Sequence, residues 1–322
     1  MKEVLLNFPE QIKKSFEIVE KTRLPRVKNV RNIVIAGMGG SAIGADLLRS
    51  YLYNEIPFTF EVVRHYEIPA YVNKNTLFIA SSYSGNTEET LSALSFAKLR
   101  TKNIIAITSN GKLEKEVDYV IKIPSGLQPR CALGYLFFSV LFALIKLKLI
   151  RDVKEEVEET YELLKKKSDE FSSEKGAPHR LASKLLNKFA IIYCDDRIMP
   201  VARRWAGQLA ENSKIFSHFN VFPEMNHNEI VGIGEPPLPY YVLFLRTGNE
   251  HQKVQKRFEI VKEIIRDFTI YEDIFAEGKS FLSRIFYLVY FGDWVSYHLA
   301  VLRGVDPTPI ERINYLKKRL SE

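Results

Sequence analysis

The stretch NIVIAGMGGSAIGADLLRSYL, residues 32–52, places an apolar strand, a glycine-rich turn and a helix in direct succession. The same order returns in TLFIASSYSGNTEETLSALSFAKL, residues 76–99. Both apolar runs are rich in Val, Ile and Phe without strict alternation, which is typical of strands buried on both faces. A strand followed by a helix, repeated in this way, predicts a doubly wound parallel sheet in an α/β protein.

The rhythm continues through the 322 residues and predicts two such sheets. The predicted strands are 32–36, 58–63, 76–80, 103–108 and 119–123 in the first half, and 189–194, 215–221, 241–245 and 269–271 in the second. Matching strands recur at an offset of roughly 155 to 165 residues, which indicates two copies of one architecture. A Glu- and Lys-rich connection follows the first copy, so we expect domains at 1–150 and 151–322, with flanking helices.

Composition sets the class of protein. Hydrophobic residues make up 46% and charged residues 26% of the chain, which is typical of a globular protein. The net charge of +7 comes from basic residues scattered among acidic ones, so we expect a mild attraction for anions, and the charge alone does not distinguish nucleic acid from a small phosphate. The longest apolar run, Ala132–Ile145, is too short to cross a bilayer, and the N-terminus has no signal-peptide core. We therefore expect a cytoplasmic protein without a membrane partner.

The first loop, Gly37-Met38-Gly39-Gly40-Ser41-Ala42, fits an anion because glycines allow close backbone approach and a helix begins there. It also fits the dinucleotide fingerprint G-x-G-x-x-A. That fingerprint requires an acidic residue at the end of the second strand, where this chain has Val63-Arg64-His65. NAD binding is therefore disfavoured, whereas NADP binding remains open.

The second loop carries hydroxyl groups at Ser82, Ser84 and Thr87 beside one glycine at a helix start. Hydroxyls and backbone amides together can hold a phosphate without Lys or Mg²⁺. The alternative is a capping box, with Asn86 as N-cap and Glu89 at the third helical position. Two such loops, after the first and third strands of one sheet, favour the phosphate site.

These loops carry a family resemblance. GMGGSAIG and SSYSGNTEET resemble the sugar isomerase (SIS) domain. Four later segments resemble the bifunctional phosphoglucose/phosphomannose isomerases: SGLQPR at 125–130, RRWAGQLAEN at 203–212, PEMNHNE at 223–229 and VDPTPI at 305–310. The resemblance implies two SIS-type domains and assigns the phosphate of the substrate to Gly40, Ser41, Ser82, Ser84 and Thr87.

Aldose–ketose isomerisation requires a base, a group that opens the sugar ring, and positive charge near the enediolate. Glu211 lies late in a predicted helix, on the same side as Arg204, where the helix dipole disfavours the charged form and makes the carboxylate a better proton acceptor. Arg130 opens an apolar helix, and His227 stands in a polar loop. On position alone, a solvated Glu, an exposed Arg and a surface His remain alternatives.

The resemblance assigns roles to these groups. Glu211 would move the proton between C1 and C2, Arg130 would stabilise the enediolate, and His227 would open the ring. Lys317 would assist ring opening from the last helix, where Ile310, Ile313 and Leu320 are expected to form the buried stripe. An exposed basic cluster is the alternative for Lys317.

The function expected from this resemblance is interconversion of glucose 6-phosphate and fructose 6-phosphate, and also of mannose 6-phosphate and fructose 6-phosphate. No metal and no organic cofactor are expected, because Cys131 and Cys194 form no ligand cluster with His. The resemblance also implies a homodimer in which His227 reaches the neighbouring active site, and the apolar Phe222, Met225 and Ile230 are expected to be exposed for a partner. A non-catalytic phosphosugar regulator and an NADP-dependent reductase remain the alternatives.

Overall fold

The structure is a computed structural model that describes residues 1–233 and 239–320. The chain divides into two compact units. Asn7–Glu162 forms the N-terminal unit, and Leu163–Glu322 together with Met1–Leu6 forms the C-terminal unit. Each unit has a parallel sheet with helices, as the alternating sequence pattern predicts.

The sheet of the N-terminal unit has five parallel strands in the order β2-β1-β3-β4-β5. They are β1 (Asn32–Ala36), β2 (Thr59–Val63), β3 (Thr76–Ser81), β4 (Ile104–Thr108) and β5 (Val120–Lys122). The strand order reverses between β1 and β3, which is where ligands bind in open α/β sheets. The register pairs Ala36 with both Val63 and Ala80, so the loops after β1, β2 and β3 leave the sheet at one level.

Helix α1 (Lys2–Leu6) belongs to the C-terminal unit. The helices of the N-terminal unit are α2 (Phe8–Lys21), α3 (Gly39–Leu52), α4 (Glu88–Lys98), α5 (Lys112–Glu116), α6 (Leu133–Lys146) and the first part of α7 (Lys154–Ser172). Helix α7 continues across the division between the units. Helix α6 is apolar on nearly every side and packs against α2 and α3. A second core cluster, which includes Val34, Phe78 and Leu94, joins the central strands to α4. These contacts fix the starts of α3 and α4 at the end of the sheet.

The C-terminal unit has four parallel strands in the order β7-β6-β8-β9. They are β6 (Phe189–Asp195), β7 (Ser217–Phe222), β8 (Tyr240–Arg246) and β9 (Ile270–Phe275). Its helices are α8 (Ala177–Leu185), α9 (Met199–Glu211), α10 (Gln252–Ile265), α11 (Phe281–Leu302) and α12 (Glu311–Leu320). Aromatic rings dominate its core, where Phe222 packs on Phe258 with ring centroids 4.2 Å apart.

Among the residues that the structure describes, two segments are long and apolar enough to span a membrane by length and composition, Pro129–Lys146 and Phe281–Leu302. In each, 83% of an 18-residue apolar window is buried inside the protein, as in the core helix of a folded unit. The second also carries Asp293, which pairs with a buried arginine.

Candidate functional site

The loops after β1 and β3 touch each other at the carboxyl end of the sheet. A Cβ built on Gly37 would lie 2.9 Å from the backbone oxygen of Ser81 and 3.2 Å from Cβ of Ser41. Such distances leave no room for a side chain at position 37. Glycine therefore allows the start of α3 to approach the end of β3, where the second loop begins.

Neither α3 nor α4 is capped by the side chain of its N-cap residue. Helix α4 begins at Glu88 with Thr87 as its N-cap, and the side chain of Thr87 accepts no capping hydrogen bond from the backbone. The alternative of a capping box is wrong, because the side-chain oxygen of Asn86 accepts a hydrogen bond from Lys112 N at 3.0 Å instead. Helix α3 has Met38 in the N-cap position, which offers no acceptor oxygen. Two helix N-termini with positive dipole ends thus remain available to an anion.

Hydroxyl groups stand around these helix ends. Ser41 and Ser82 are buried, and Oγ of Ser82 lies 2.8 Å from Oγ1 of Thr87. Ser84 is exposed, one residue before Gly85, which has a φ of +66°. A Cβ at Gly85 would lie 1.8 Å from the backbone oxygen of Asn110, so only glycine fits this turn. The structure therefore brings the hydroxyl residues predicted for phosphate binding to one edge of one unit.

Arg130 lies beside the first loop. It is 3% exposed, in a 3₁₀ turn that spans Pro129–Ala132. A Cβ built on Gly40 would meet the backbone oxygen of Pro129 at 2.7 Å. Close contact between the start of α3 and this turn places the predicted phosphate residue Gly40 next to Arg130, whose guanidinium is buried rather than surface-exposed.

Tyr83 is a residue of this site that the sequence analysis missed. Its hydroxyl donates a hydrogen bond to Pro124 O at 3.0 Å and accepts one from Leu127 N at 2.8 Å. Tyr83 thereby ties the hydroxyl-rich loop to the segment that leads into Arg130. One signal was present, since Tyr83 is the only large side chain among the small polar residues 81–87.

The end of β2 does not favour NADP. Arg64, the residue that left this cofactor open, forms a short ion pair with the buried carboxylate of Asp46 on α3. A guanidinium already paired with a carboxylate is a poor receptor for a 2′-phosphate.

Glu211 is the last residue of α9, in the C-terminal unit. It is half-buried and lines an open cleft of about 710 Å³, together with Phe216 and the first turn of α12 as far as Ile313. Lys214, on the same cleft, donates a hydrogen bond to Pro309 O at 2.8 Å. The cleft has apolar and charged walls and is wide enough for a small polar ligand.

Arg204, predicted on the Glu211 side of α9, is instead a structural residue. It is buried and forms a bidentate pair with Asp293 of α11, with Nε–Oδ1 and Nη2–Oδ2 distances of 2.9 and 2.7 Å. Gln208 donates to the same carboxylate at 2.9 Å. This network holds α9, and with it Glu211, against α11.

His227 is exposed at the end of a 3₁₀ turn that spans Glu224–His227. Glu229, which the sequence analysis missed, anchors this loop. Its carboxylate accepts hydrogen bonds from Tyr193 at 2.6 Å, from His218 at 3.1 Å, and from Asn220. Burial alone would raise the pKa of Glu229, but these hydrogen bonds outweigh it and the pKa lies below its ordinary value.

Three apolar residues near His227 were expected to be exposed, and this prediction is wrong. Phe222 and Met225 are fully buried in the aromatic core, and Ile230 is partly buried against it. They pack inward because the loop folds back over the edge of the sheet. Val231 is the exposed apolar residue of this stretch, at 88%. Residues 234–238 of the same loop lie outside the described part of the chain.

Helix α12 corrects a second expectation. Ile313 and Leu320, predicted to form a buried stripe, are 38% and 64% exposed, and Lys317 is exposed on the same helix. The apolar spacing is present, but α12 has no buried residue, and no segment within residues 1–233 and 239–320 covers that stripe.

Comparison with known proteins defines the class. Residues 27–147 match the SIS domain, and residues 174–320 match the bacterial phospho-glucose isomerase C-terminal SIS domain. Glucosamine-6-phosphate deaminase of Thermotoga maritima has a similar structure, with a TM-score of 0.71 at 17% identity, covering 95% of this chain and 96% of that one. The chain is thus a protein with two SIS domains.

Full-length relatives define the family. The bifunctional phosphoglucose/phosphomannose isomerase of Caldicellulosiruptor bescii is 44% identical over 100% of this chain and 99% of its own length. The protein of the same name from Thermoplasma acidophilum is 37% identical over 98% of each chain. The chain belongs to the bifunctional phosphoglucose/phosphomannose isomerase family.

Proposed function

We propose that this chain interconverts glucose 6-phosphate and fructose 6-phosphate, and also mannose 6-phosphate and fructose 6-phosphate, by proton transfer through an enediolate. The observation that carries the proposal is the pair of uncapped helix N-termini, α3 and α4, at the point where the strand order reverses. Family membership supplies the reaction class. An NADP-dependent reductase is disfavoured by the Arg64–Asp46 pair, and a non-catalytic regulator is disfavoured by the enzymes that the chain resembles along its whole length.

The phosphate group of the substrate is assigned to the loops at the starts of α3 and α4. Gly40 offers a backbone N–H, and Ser41, Ser82, Ser84 and Thr87 offer hydroxyl groups in addition. Amide and hydroxyl donors can satisfy three phosphate oxygens without a metal, because each donor is already oriented by the fold.

Proton transfer is assigned to Glu211, which accepts a proton from C2 of the aldose and returns it to C1. Arg130 supplies positive charge for the enediolate oxygens, which carry the negative charge of the intermediate. His227 and Lys317 are assigned to ring opening, which requires a proton to leave the C1 hydroxyl and another to reach the ring oxygen.

A homodimer is the proposed assembly, with His227 contributed to the neighbouring subunit's site. The support is indirect: His227 is exposed on an anchored loop, and the apolar stripe of α12 is left exposed by the described residues of the single chain. The proposed location is the cytoplasm, and no nucleic acid or membrane enters the proposal.

The experiment is incubation of the purified protein with fructose 6-phosphate, followed by separate assays for glucose 6-phosphate and mannose 6-phosphate. Both products are expected. Ser84→Ala removes one hydrogen bond to a charged group and is expected to raise the inhibition constant of inorganic phosphate about tenfold. Ser95→Ala is the matched control, because this exposed serine on α4 bonds only Ser92 O.

Failure to form either product would reject the isomerase. An equal response of the two serine variants to phosphate would leave the isomerase intact but remove Ser84 from the phosphate site.

A further inference from the structure

The third strand of each unit ends in a similar loop. Ser84-Gly85-Asn86 follows β3, and Thr247-Gly248-Asn249 follows β8. Both glycines have a positive φ, +66° and +80°, and each loop opens a helix, α4 or α10. Strands β3 and β8 also occupy equivalent places, each paired in parallel with the first strand of its sheet. The C-terminal unit therefore has a counterpart of the loop that we assign to the substrate phosphate.

In the counterpart loop, a carboxylate of the chain itself occupies the place of a bound anion. Oε1 of Glu250 accepts hydrogen bonds from Thr247 N at 2.6 Å, from Gly248 N at 3.1 Å and from Thr247 Oγ1 at 3.2 Å. Consecutive backbone amides that converge with a hydroxyl on one oxygen are the donor set of an anion-binding nest. In the N-terminal unit, the residue after the asparagine is Thr87, which brings no carboxylate to the loop.

The surroundings of Glu250 are those of a built anion site. Glu250 is 7% exposed, and its Oε2 is buried without a hydrogen-bond partner in the described part of the chain. The buried guanidinium of Arg246 lies with Nε 3.8 Å from Oε1 of Glu250. The other side of Arg246 pairs with Glu259 and Asp273. The donors of this loop therefore converge on one carboxylate oxygen, and the Arg246 guanidinium adds positive charge beside it.

We propose that the C-terminal unit contains an oxyanion-binding site that the chain fills with its own Glu250. The ligand class that this site would accept, once vacated, is a small carboxylate or phosphate. Under the proposed function, each chain then holds one sugar phosphate, in the N-terminal unit, although it has two loops of the same kind. Only this statement about stoichiometry rests on the proposed function.

Asp195 also disfavours the binding of a phosphate at the loop that Glu250 fills. It ends β6, in the place where β1 leads into the glycine-rich loop, and burial, with a smaller contribution from the Glu250 carboxylate, raises the pKa of Asp195. The two loops of the C-terminal unit thus present negative charge where those of the N-terminal unit present glycines and hydroxyls. A second phosphate dianion is repelled from this position as well as displaced from it.

The test is chemical rescue of stability. Glu250→Ala removes the carboxylate and leaves two amides and a guanidinium without their anion, so the melting temperature is expected to fall. Sodium formate is expected to raise it again, with a saturable dose response, and sodium chloride at equal ionic strength is not. At formate about ten times above its dissociation constant, the folding equilibrium constant rises about tenfold. Inorganic phosphate is the second probe and distinguishes a site of carboxylate size from one of phosphate size.

The matched control is Glu259→Ala, which removes a different carboxylate from the same Arg246 without opening the nest. An equal effect of formate on Glu250→Ala and Glu259→Ala would overturn the proposal. If Glu250→Ala does not fold in either buffer, the effect of formate on the melting temperature of Glu250→Ser is compared with its effect on Glu259→Ala instead. Stability is measured without substrate, so inactivity toward sugar phosphates would reject the proposed function and leave this result untouched.

Discussion

Replacing Gly40 by alanine tests how closely the first loop approaches the turn that carries Arg130. The added Cβ would lie 2.7 Å from Pro129 O and 3.4 Å from Cα of Arg130. An ordinary carbon–oxygen contact is longer, so the turn must retreat by about 0.5 Å, and neither atom belongs to a flexible side chain that can swing aside. Overpacking of this kind costs about 1–3 kcal/mol of stability.

The matched control is Gly207→Ala on α9. A Cβ there meets nothing within 4 Å, so the substitution gains up to about 1 kcal/mol of helix stability without a steric cost.

A second comparison is Gly44→Ala, one turn further along α3, where the Cβ would lie 3.3 Å from backbone atoms of Leu136 and Phe137. This contact is tight but lies away from Arg130, so a moderate loss of stability with unchanged activity is expected.

The assays are the free energy of unfolding in urea and the kcat for fructose 6-phosphate. Gly40→Ala is expected to be about 1–4 kcal/mol less stable than Gly207→Ala, which combines the loss from overpacking with the gain of the control. Its kcat is expected to fall about tenfold, since a misplacement of 1 Å can cost about 100-fold and this one is about half as large. If Gly40→Ala equals Gly207→Ala in both measurements, the close approach and its role in placing Arg130 are refuted.

Four further predictions follow from the two units. Glu211→Gln should abolish the exchange of solvent deuterium at C1 and C2 while inhibition by phosphate persists. Glu263→Gln, an exposed control on α10, should keep this exchange. Exchange in both variants would show that Glu211 is not the base. Glu229→Gln weakens the anchor of the His227 loop, so kcat should fall with little change in the phosphate inhibition constant; an unchanged kcat would show that the anchor is dispensable. Burial and a neighbouring histidine lower the pKa of His298, so the unfolded chain takes up a proton at a higher pH than the folded chain does. The urea concentration at the unfolding midpoint should therefore decrease as the pH falls below about 6.5, and it should decrease less in His298→Gln. Parallel pH profiles of the two proteins would contradict this. Refolding a mixture of Glu211→Gln and His227→Ala should restore about one quarter of wild-type activity, because half of the dimers are mixed and each has one intact site; no recovery despite subunit exchange would place His227 in its own subunit's site.

Regular elements could be predicted because their patterns are local. Strands β1 and β3 are uninterrupted apolar runs, and each ends at a loop of small polar residues, so both the sheet and the edge that carries the hydroxyl groups were confirmed by the structure. Their place beside the reversal of strand order follows from parallel topology alone. The roles of Glu211, His227 and Lys317 stay predictions, since position in the sequence says little about what a single polar side chain will meet.

What the sequence did not reveal depends on contacts between distant segments. The hydrogen-bond partners of Glu229 come from β6 and β7, and the sequence pattern around Glu229 does not predict these contacts. Phe222 and Met225 were misjudged because an apolar residue in a loop may face either way, and only the packing against α10 decides. The apolar stripe of α12 shows a different limitation of the sequence. Amphipathic spacing indicates that one face of the helix packs against protein, but it does not identify the chain that supplies the contact.

The uncapped starts of α3 and α4 have a consequence for how this protein can adapt to heat. A serine or aspartate in place of Met38 would cap α3 and add about 1 kcal/mol to the stability of the empty protein. Under the proposed assignment of the substrate phosphate to these two helix ends, the same side chain would compete with the substrate for the amides that it caps. Thermal adaptation and affinity for phosphate therefore oppose each other at these two helix ends, and lasting gains in heat resistance have to come from other parts of the chain.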